Sequence, residues 1–216
     1  MLRTFIDSGG AMIWPLLLMS AAAIVVIIER LLHYHRAQIN SVEFISGVRI
    51  VLKRGNILEA VSICDATPGP VARLAKAAIL NRDRGRDGMR ESLEEAGLLE
   101  VPRLEEKLNL LATIAQVAPL MGLLGTVLGF IGMVKVLAAK GMALTANDVD
   151  LLNGVWEAMI SMAFGLALAI PCYIGYNYLV SRMNSILLDM EKASSEILNI
   201  LTNGGKEQAY EISEES

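Results

Sequence analysis

Three stretches free of charged residues, 8–28, 109–134 and 158–181, constrain this chain more than any other feature of its sequence. Each exceeds the roughly 20 residues that a helix needs to cross about 30 Å of hydrocarbon. The composition points the same way. Of the 216 residues 54% are hydrophobic but only 5% aromatic, and the mean hydropathy is +0.48. The charged 19% crowds into the segments between and after the three stretches. The expected fold class is therefore all-α: an integral membrane protein with three transmembrane helices and long cytoplasmic helical extensions.

The first stretch differs from a cleaved signal peptide. It is long, is preceded by Asp7 as well as Arg3, and runs into Glu29-Arg30 without a small-residue cleavage site. It reads as a retained anchor whose entry into the bilayer is marked by Trp14, suited to the headgroup region, and Pro15, suited to a first helical turn. Thirteen of the 19 Lys and Arg residues lie in 29–107, with Arg30 and Arg36 directly after the first span. Basic flanks stay on the cytoplasmic side, so the N-terminus is expected outside, in the periplasm if the cell is Gram-negative, and the C-terminus inside. The expected organisation is a periplasmic leader with the first span (1–30), a cytoplasmic helical region (31–107), and the second span (108–137). A short periplasmic loop (138–148), the third span (149–183) and a cytoplasmic extension with its tail (184–216) complete it.

Several functions are disfavoured. A net charge of −4 and few aromatics suit neither phosphate neutralisation nor base stacking, so nucleic acid is not an expected partner. Cys64 and Cys172 are too few and too unlike in setting for a disulfide framework or a metal cluster. His33 and His35, two residues apart, fall on different helix faces. No phosphate-binding loop or nucleophile elbow is present, and neither enzymatic chemistry nor a cofactor is expected.

The cytoplasmic region reads as amphipathic helices with explicit stops. Ser41 is the expected cap of one, ending at Gly55; Asn56 caps the next, which Thr67-Pro68-Gly69-Pro70 breaks. After Arg86 the charges at 90, 91, 94, 95 and 105–107 predict a helix leading straight into the second span, with a kink at Pro102. Most such charges are expected to form a solvated helix face. The third helix is expected to continue through Leu187, Leu188 and Ile197 until Asn203-Gly204-Gly205 stops it, leaving an acidic, disordered tail.

Within the second span, Ala115, Ala118, Gly122, Gly125, Thr126, Gly129 and Gly132 share one face at about 100° per residue. Such a face expects a neighbouring helix backbone, in the same chain or in another copy. Pro119 in this span and Pro171 in the third join these glycines as packing residues, and Pro171 frees a carbonyl one turn earlier.

Thr145-Ala146-Asn147-Asp148 has the pattern of a capping box and sets the start of the third helix. Glu157 would then lie roughly 18 Å along that helix. An intramembrane carboxylate costs about 2.5–3.5 kcal/mol to insert and must face a bundle interior, a wet cavity or an opposite charge. If the chain turns near Gly141 and Met142, residues at equal depth on the two helices have numbers summing to roughly 284. That places Thr126 opposite Ala158, beside Glu157 and Ser161. Thr126, Glu157 and Ser161 are thus candidate stations for a proton or hydrated cation. The plainer reading is that the two hydroxyls bond only to their own helix backbones.

These residues also carry a family likeness. Ala118-Pro119-Leu120-Met121-Gly122-Leu123-Leu124-Gly125-Thr126-Val127 resembles the second-span signature of the ExbB, TolQ and MotA family. Glu157-Ala158, Gly165-Leu166, Ala169-Ile170-Pro171 and Tyr176-Asn177 resemble its third. Gly9-Gly10, Trp14-Pro15-Leu16-Leu17 and Glu29-Arg30 are similar to the short ExbB-type members. The resemblance implies a homo-oligomeric ring, a pentamer, around helices of an ExbD-like single-span partner that carries a membrane aspartate. That assembly would drive a TonB-like energy transducer for outer-membrane import, or serve a TolQ-like role in envelope maintenance. Membrane lipids would surround it. Thr126 matches the family's pore-lining threonine and Glu157 its third-span glutamate. Met162 stands where the family commonly has a second threonine, with Ser161 beside it.

Overall fold

A computed structural model describes residues 12–139 and 149–214. The described residues form seven α-helices and one short 3₁₀ turn, with no strand. The helices are α1 (Ile13–Ala37), α2 (Ser41–Lys53), α3 (Ile57–Ala66), α4 (Pro70–Leu80), α5 (Gly85–Glu105), α6 (Leu108–Ala139) and α7 (Val149–Glu214). Three of them, α1, α6 and α7, carry stretches long and apolar enough to cross a membrane. The contacts divide the chain into two units, Met1–Arg30 with Lys107–Leu179 and Leu31–Glu106 with Val180–Ser216.

In the first unit α6 and α7 approach at their smallest residues. A Cβ built on Gly165 would lie 2.7 Å from the Ala118 carbonyl oxygen and 2.9 Å from the Gly122 Cα. One on Gly129 would lie 2.9 Å from the Ala158 Cβ and 3.0 Å from the Gly154 carbonyl oxygen. Only glycine permits backbones this close, and in lipid such contact replaces the hydrophobic drive that water would supply. α1 joins through Leu16, which clusters with Ala118 and Ala169, and through Ile27, whose Cδ1 lies 3.0 Å from where a Gly175 Cβ would stand. The outward faces stay apolar, with Leu18, Val25, Leu123, Phe130 and Ile174 all exposed. Helices with an apolar face towards their surroundings are what a bilayer selects.

The second unit is built as a water-soluble domain would be. Asn40 caps α2 and Asn56 caps α3, each side-chain oxygen accepting from the backbone N–H three residues on, and each amide donating to that glutamate's carboxylate. The first cap is therefore Asn40 and not the expected Ser41, which is already helical; the Asn40 amide reaches both the Glu43 N–H and its carboxylate, whereas the Ser41 Oγ has no hydrogen-bond partner among the described residues. Gly55 takes a φ of 72° and ends α2, and Pro70 opens α4 after Gly69 at φ 120°. Gly69 has a second reason to lack a side chain, since a Cβ would stand 2.9 Å from the Ala37 carbonyl oxygen. α4 buries Val71, Ala72, Leu74, Ala75, Ala78 and Ile79 and packs against α3 and α5. Tyr34 in this unit donates its hydroxyl to the Leu104 carbonyl at 2.6 Å.

Two further expectations fail. α5 does not lead straight into the second span: the helix stops at Glu105, Lys107 takes a left-handed φ of 63°, and α6 starts afresh at Leu108. Lys107 is tied to Glu29 by an ion pair, a contact to a residue far away in sequence that favours a backbone state lysine rarely adopts. Nor do Gly204 and Gly205 end the last helix, which continues to Glu214. Each glycine costs a helix only about 1 kcal/mol, and neither is followed by a proline that would force a stop. The expected Thr145 cap and the turn at Gly141 and Met142 lie outside the described residues, as do Gly9 and Gly10.

Candidate functional site

The site is assembled within the first unit, where α6 meets the first half of α7. The close approach of Gly122 to Gly165 and of Gly129 to Gly154 aligns the two helices so that Thr126 reaches Ala158, the pair whose numbers sum to 284. The Thr126 hydroxyl donates to the Gly122 carbonyl at 3.0 Å, and the Ala158 carbonyl lies within hydrogen-bond range at 3.3 Å. One proton serves both carbonyls, so towards any third group Thr126 presents its lone pairs and acts as an acceptor.

Glu157, half-buried, lines a cavity of about 410 Å³. Gly125, Gly129 and Gly132 of α6 form one wall, and Asn153 stands one turn before Glu157 on α7. Among the described residues Glu157 has no ion pair, in keeping with the lack of basic residues inside the spans. Thr126 is not among the residues lining this cavity: its hydroxyl reaches the carbonyl of Ala158, the residue next to Glu157.

Ser161 lies elsewhere again. It is 1% exposed, and its hydroxyl oxygen would stand 1.8 Å from a Cβ on Gly125, so the serine fills the space that glycine leaves. Its Oγ has no hydrogen-bond partner among the described residues. The structure thus places Thr126 against Ala158, beside Glu157, with Ser161 one turn further along α7, and distributes the three among a carbonyl clasp, a cavity wall and a helix contact. Met162 is half-buried, its Cα 3.2 Å from the position of a Gly122 Cβ.

The packing residues also differ among themselves. Gly122, Gly125 and Gly129 are buried at close contacts, whereas a Cβ on Gly132 would meet nothing among the described residues. Pro119 and Pro171 both stand inside uninterrupted helices, Pro119 half-buried and Pro171 exposed. Asn153 went unnoticed in the sequence, although its spacing of four residues from Glu157 puts the two on one helix face.

The second unit carries charges that the sequence reading passed over. Glu100 is only 6% exposed and accepts from Arg73 at 2.7 and 2.9 Å and from Arg103 at 2.7 Å. Cys64 is buried beside Asp65, and burial, with that carboxylate, pushes its thiol up to about 11. The Arg90–Glu94 pair is exposed on both sides, the solvated helix face that was expected.

Three membrane-crossing helices around a partly buried carboxylate define a multi-pass membrane protein with a polar site in its bundle. The chain matches the MotA/TolQ/ExbB proton channel family over residues 66–192, more than half its length, and belongs to that family. It is 26% identical to a biopolymer transport protein ExbB homolog of Methanothermobacter thermautotrophicus, over 92% of this chain and 68% of that protein. It is 32% identical to the biopolymer transport protein ExbB-like 3 of Synechocystis, over 79% of this chain and 80% of the relative. The Tol-Pal system protein TolQ of Haemophilus influenzae is 38% identical over 47% of this chain and 43% of its own length.

Proposed function

We propose that the chain is the ring-forming subunit of an ion-driven motor in a bacterial inner membrane, working without enzymatic chemistry. The observation that carries this reading is Glu157, a carboxylate beside a cavity in an apolar bundle, level with the Thr126 hydroxyl. Its insertion cost of about 2.5–3.5 kcal/mol is hard to account for in a bundle whose only task is to pack. A unit charge crossing 100 mV releases about 2.3 kcal/mol, enough to drive a conformational step. In this reading Thr126 and Glu157 belong to the ion path, Ser161 supports the helix contact beside them, and Gly122, Gly125 and Gly129 set the spacing of α6 and α7.

One carboxylate per chain does not complete a path across the bilayer, which calls for a second protein. An ExbD-like single-span partner with a membrane aspartate fits that need, inside a ring of five copies. A TonB-like transducer would then receive the work. The N-terminus would face the periplasm and the C-terminus the cytoplasm, following the bias of Lys and Arg towards 29–107. The segment boundaries given under Sequence analysis belong to the same proposal.

The identity to a TolQ protein favours a second reading, in which the same motor serves envelope maintenance. The test of the motor itself is common to both. Glu157→Gln and Thr126→Ala, made separately, are expected to abolish gradient-dependent import or envelope integrity while the complex still assembles. Full function in both variants would leave a structural scaffold as the better account.

A further inference from the structure

Exposure falls in steps along one face of α7. Asn153 is exposed, Glu157 four residues on is half-buried, and Ser161 four further on is 1% exposed. The cavity of about 410 Å³ follows the same gradient. It contains Asn153 and Glu157 in its lining and stops short of Ser161, whose side chain is seated on Gly125. Its open end therefore lies towards Asn153, where α6 finishes and α7 begins, and its blind end at the Ser161–Gly125 contact. Asn153 and Glu157 are about 6 Å apart along the helix and are the only polar side chains among the described lining residues.

Such a space is unlike the dry voids that apolar cavities make. It is large enough for on the order of ten waters, and a carboxylate and an amide supply the hydrogen-bond partners that buried water requires. Gly132 points the same way. Gly122, Gly125 and Gly129 are needed for close contact, but at Gly132 a Cβ would meet nothing among the described residues. Packing among the described residues does not explain a glycine there, which costs a helix about 1 kcal/mol relative to alanine. An open channel over that wall does, because a larger side chain at Gly132 would project into it.

We infer that this cavity is a water-filled vestibule that joins Glu157 to the aqueous side at the α6–α7 end, with Asn153 holding water at its mouth and Gly132 keeping it open. Water in the vestibule solvates the Glu157 carboxylate where no basic side chain of the described residues does, which lowers the cost of carrying it in the bundle. Asn153 is a positioning residue: it does not titrate, and it orders water that can pass a proton to the carboxylate. The use of the vestibule in transport rests on the motor reading above; its hydration does not.

Thiol labelling in the assembled protein separates the two. The wild-type chain serves as the blank, since Cys64 and Cys172 are both buried. Gly132→Cys and Asn153→Cys are treated in intact membranes with a charged, membrane-impermeant methanethiosulfonate, alongside Phe130→Cys on the exposed apolar face. A thiol reacts as its thiolate, which forms in water and not in lipid, so the two vestibule variants are expected to label at least about tenfold faster than Phe130→Cys. Equal or slower labelling would overturn the vestibule, as it would if a helix of another chain filled the space. Gly132→Leu, which plugs the space, is expected to cut gradient-dependent import at least tenfold in complexes of normal size, and wild-type import would overturn the use of the vestibule in transport. Fast labelling together with an active Glu157→Gln variant would leave the vestibule standing and sink the motor reading.

Discussion

Gly165 and Glu100 mark two different ways in which this chain joins helix to helix. In the membrane unit, Gly165 brings the α7 backbone against the carbonyl of Ala118, and removal of side chains creates the contact. In the other unit, Glu100 joins α5 to α4 by drawing Arg73 to a buried carboxylate, and side chains added on both partners create it. The solvent explains the contrast. Lipid tails are as apolar as leucine, so a membrane bundle gains little by burying leucine and much by close van der Waals fit. In water the aliphatic core of α4 drives assembly, and caps and charge pairs fix its geometry.

Gly165→Val should break the membrane contact most severely. Its Cβ would stand 2.7 Å from a backbone oxygen that cannot swing away, so we expect a loss of at least about 2 kcal/mol in detergent unfolding of the full chain. A variant as stable as the wild type would remove the distinction between the two units. Glu100→Ala should cost about 2 kcal/mol in thermal unfolding, less than the 3–5 typical of a broken buried pair, because both guanidinium groups are more than half exposed. No measurable loss would show that Glu100 is retained for something other than stability. Gly97 sharpens the comparison from the other side. It lies in α5 with nothing near a would-be Cβ, so Gly97→Ala should stabilise the protein by up to about 1 kcal/mol in the same measurement. Destabilisation there would mean that glycine contacts matter outside the membrane as well.

The three spans and the level of the site were legible because both follow from simple geometry. Charge-free length reports a span, and two antiparallel helices rise equally from their connection, which is why Thr126 meets Ala158 as the numbering predicts. The reach of the cavity was not legible. Ser161 shares a helix face with Glu157 one turn away, yet it is seated on Gly125 where the cavity ends. Asn153 was open to the same spacing argument, but it draws attention only once a cavity is seen beside it. The break at Lys107 was hidden for a different reason. Lysine has no preference for a left-handed backbone, and the Glu29 carboxylate that pairs with it comes from α1, 78 residues earlier in the sequence. The buried state of Glu100 likewise depends on Arg73, on a separate helix. Local pattern reads elements and depth well, whereas direction and long-range charge pairing need the tertiary structure.

Everything proposed for transport turns on the Glu157 carboxylate. Proton flux into vesicles that contain the assembled complex and its single-span partner, under an imposed membrane potential, tests that directly. The account predicts that Glu157→Gln reduces flux to the leak of empty vesicles while the mass of the complex is unchanged. Flux at the wild-type rate through complexes of Glu157→Gln would contradict it.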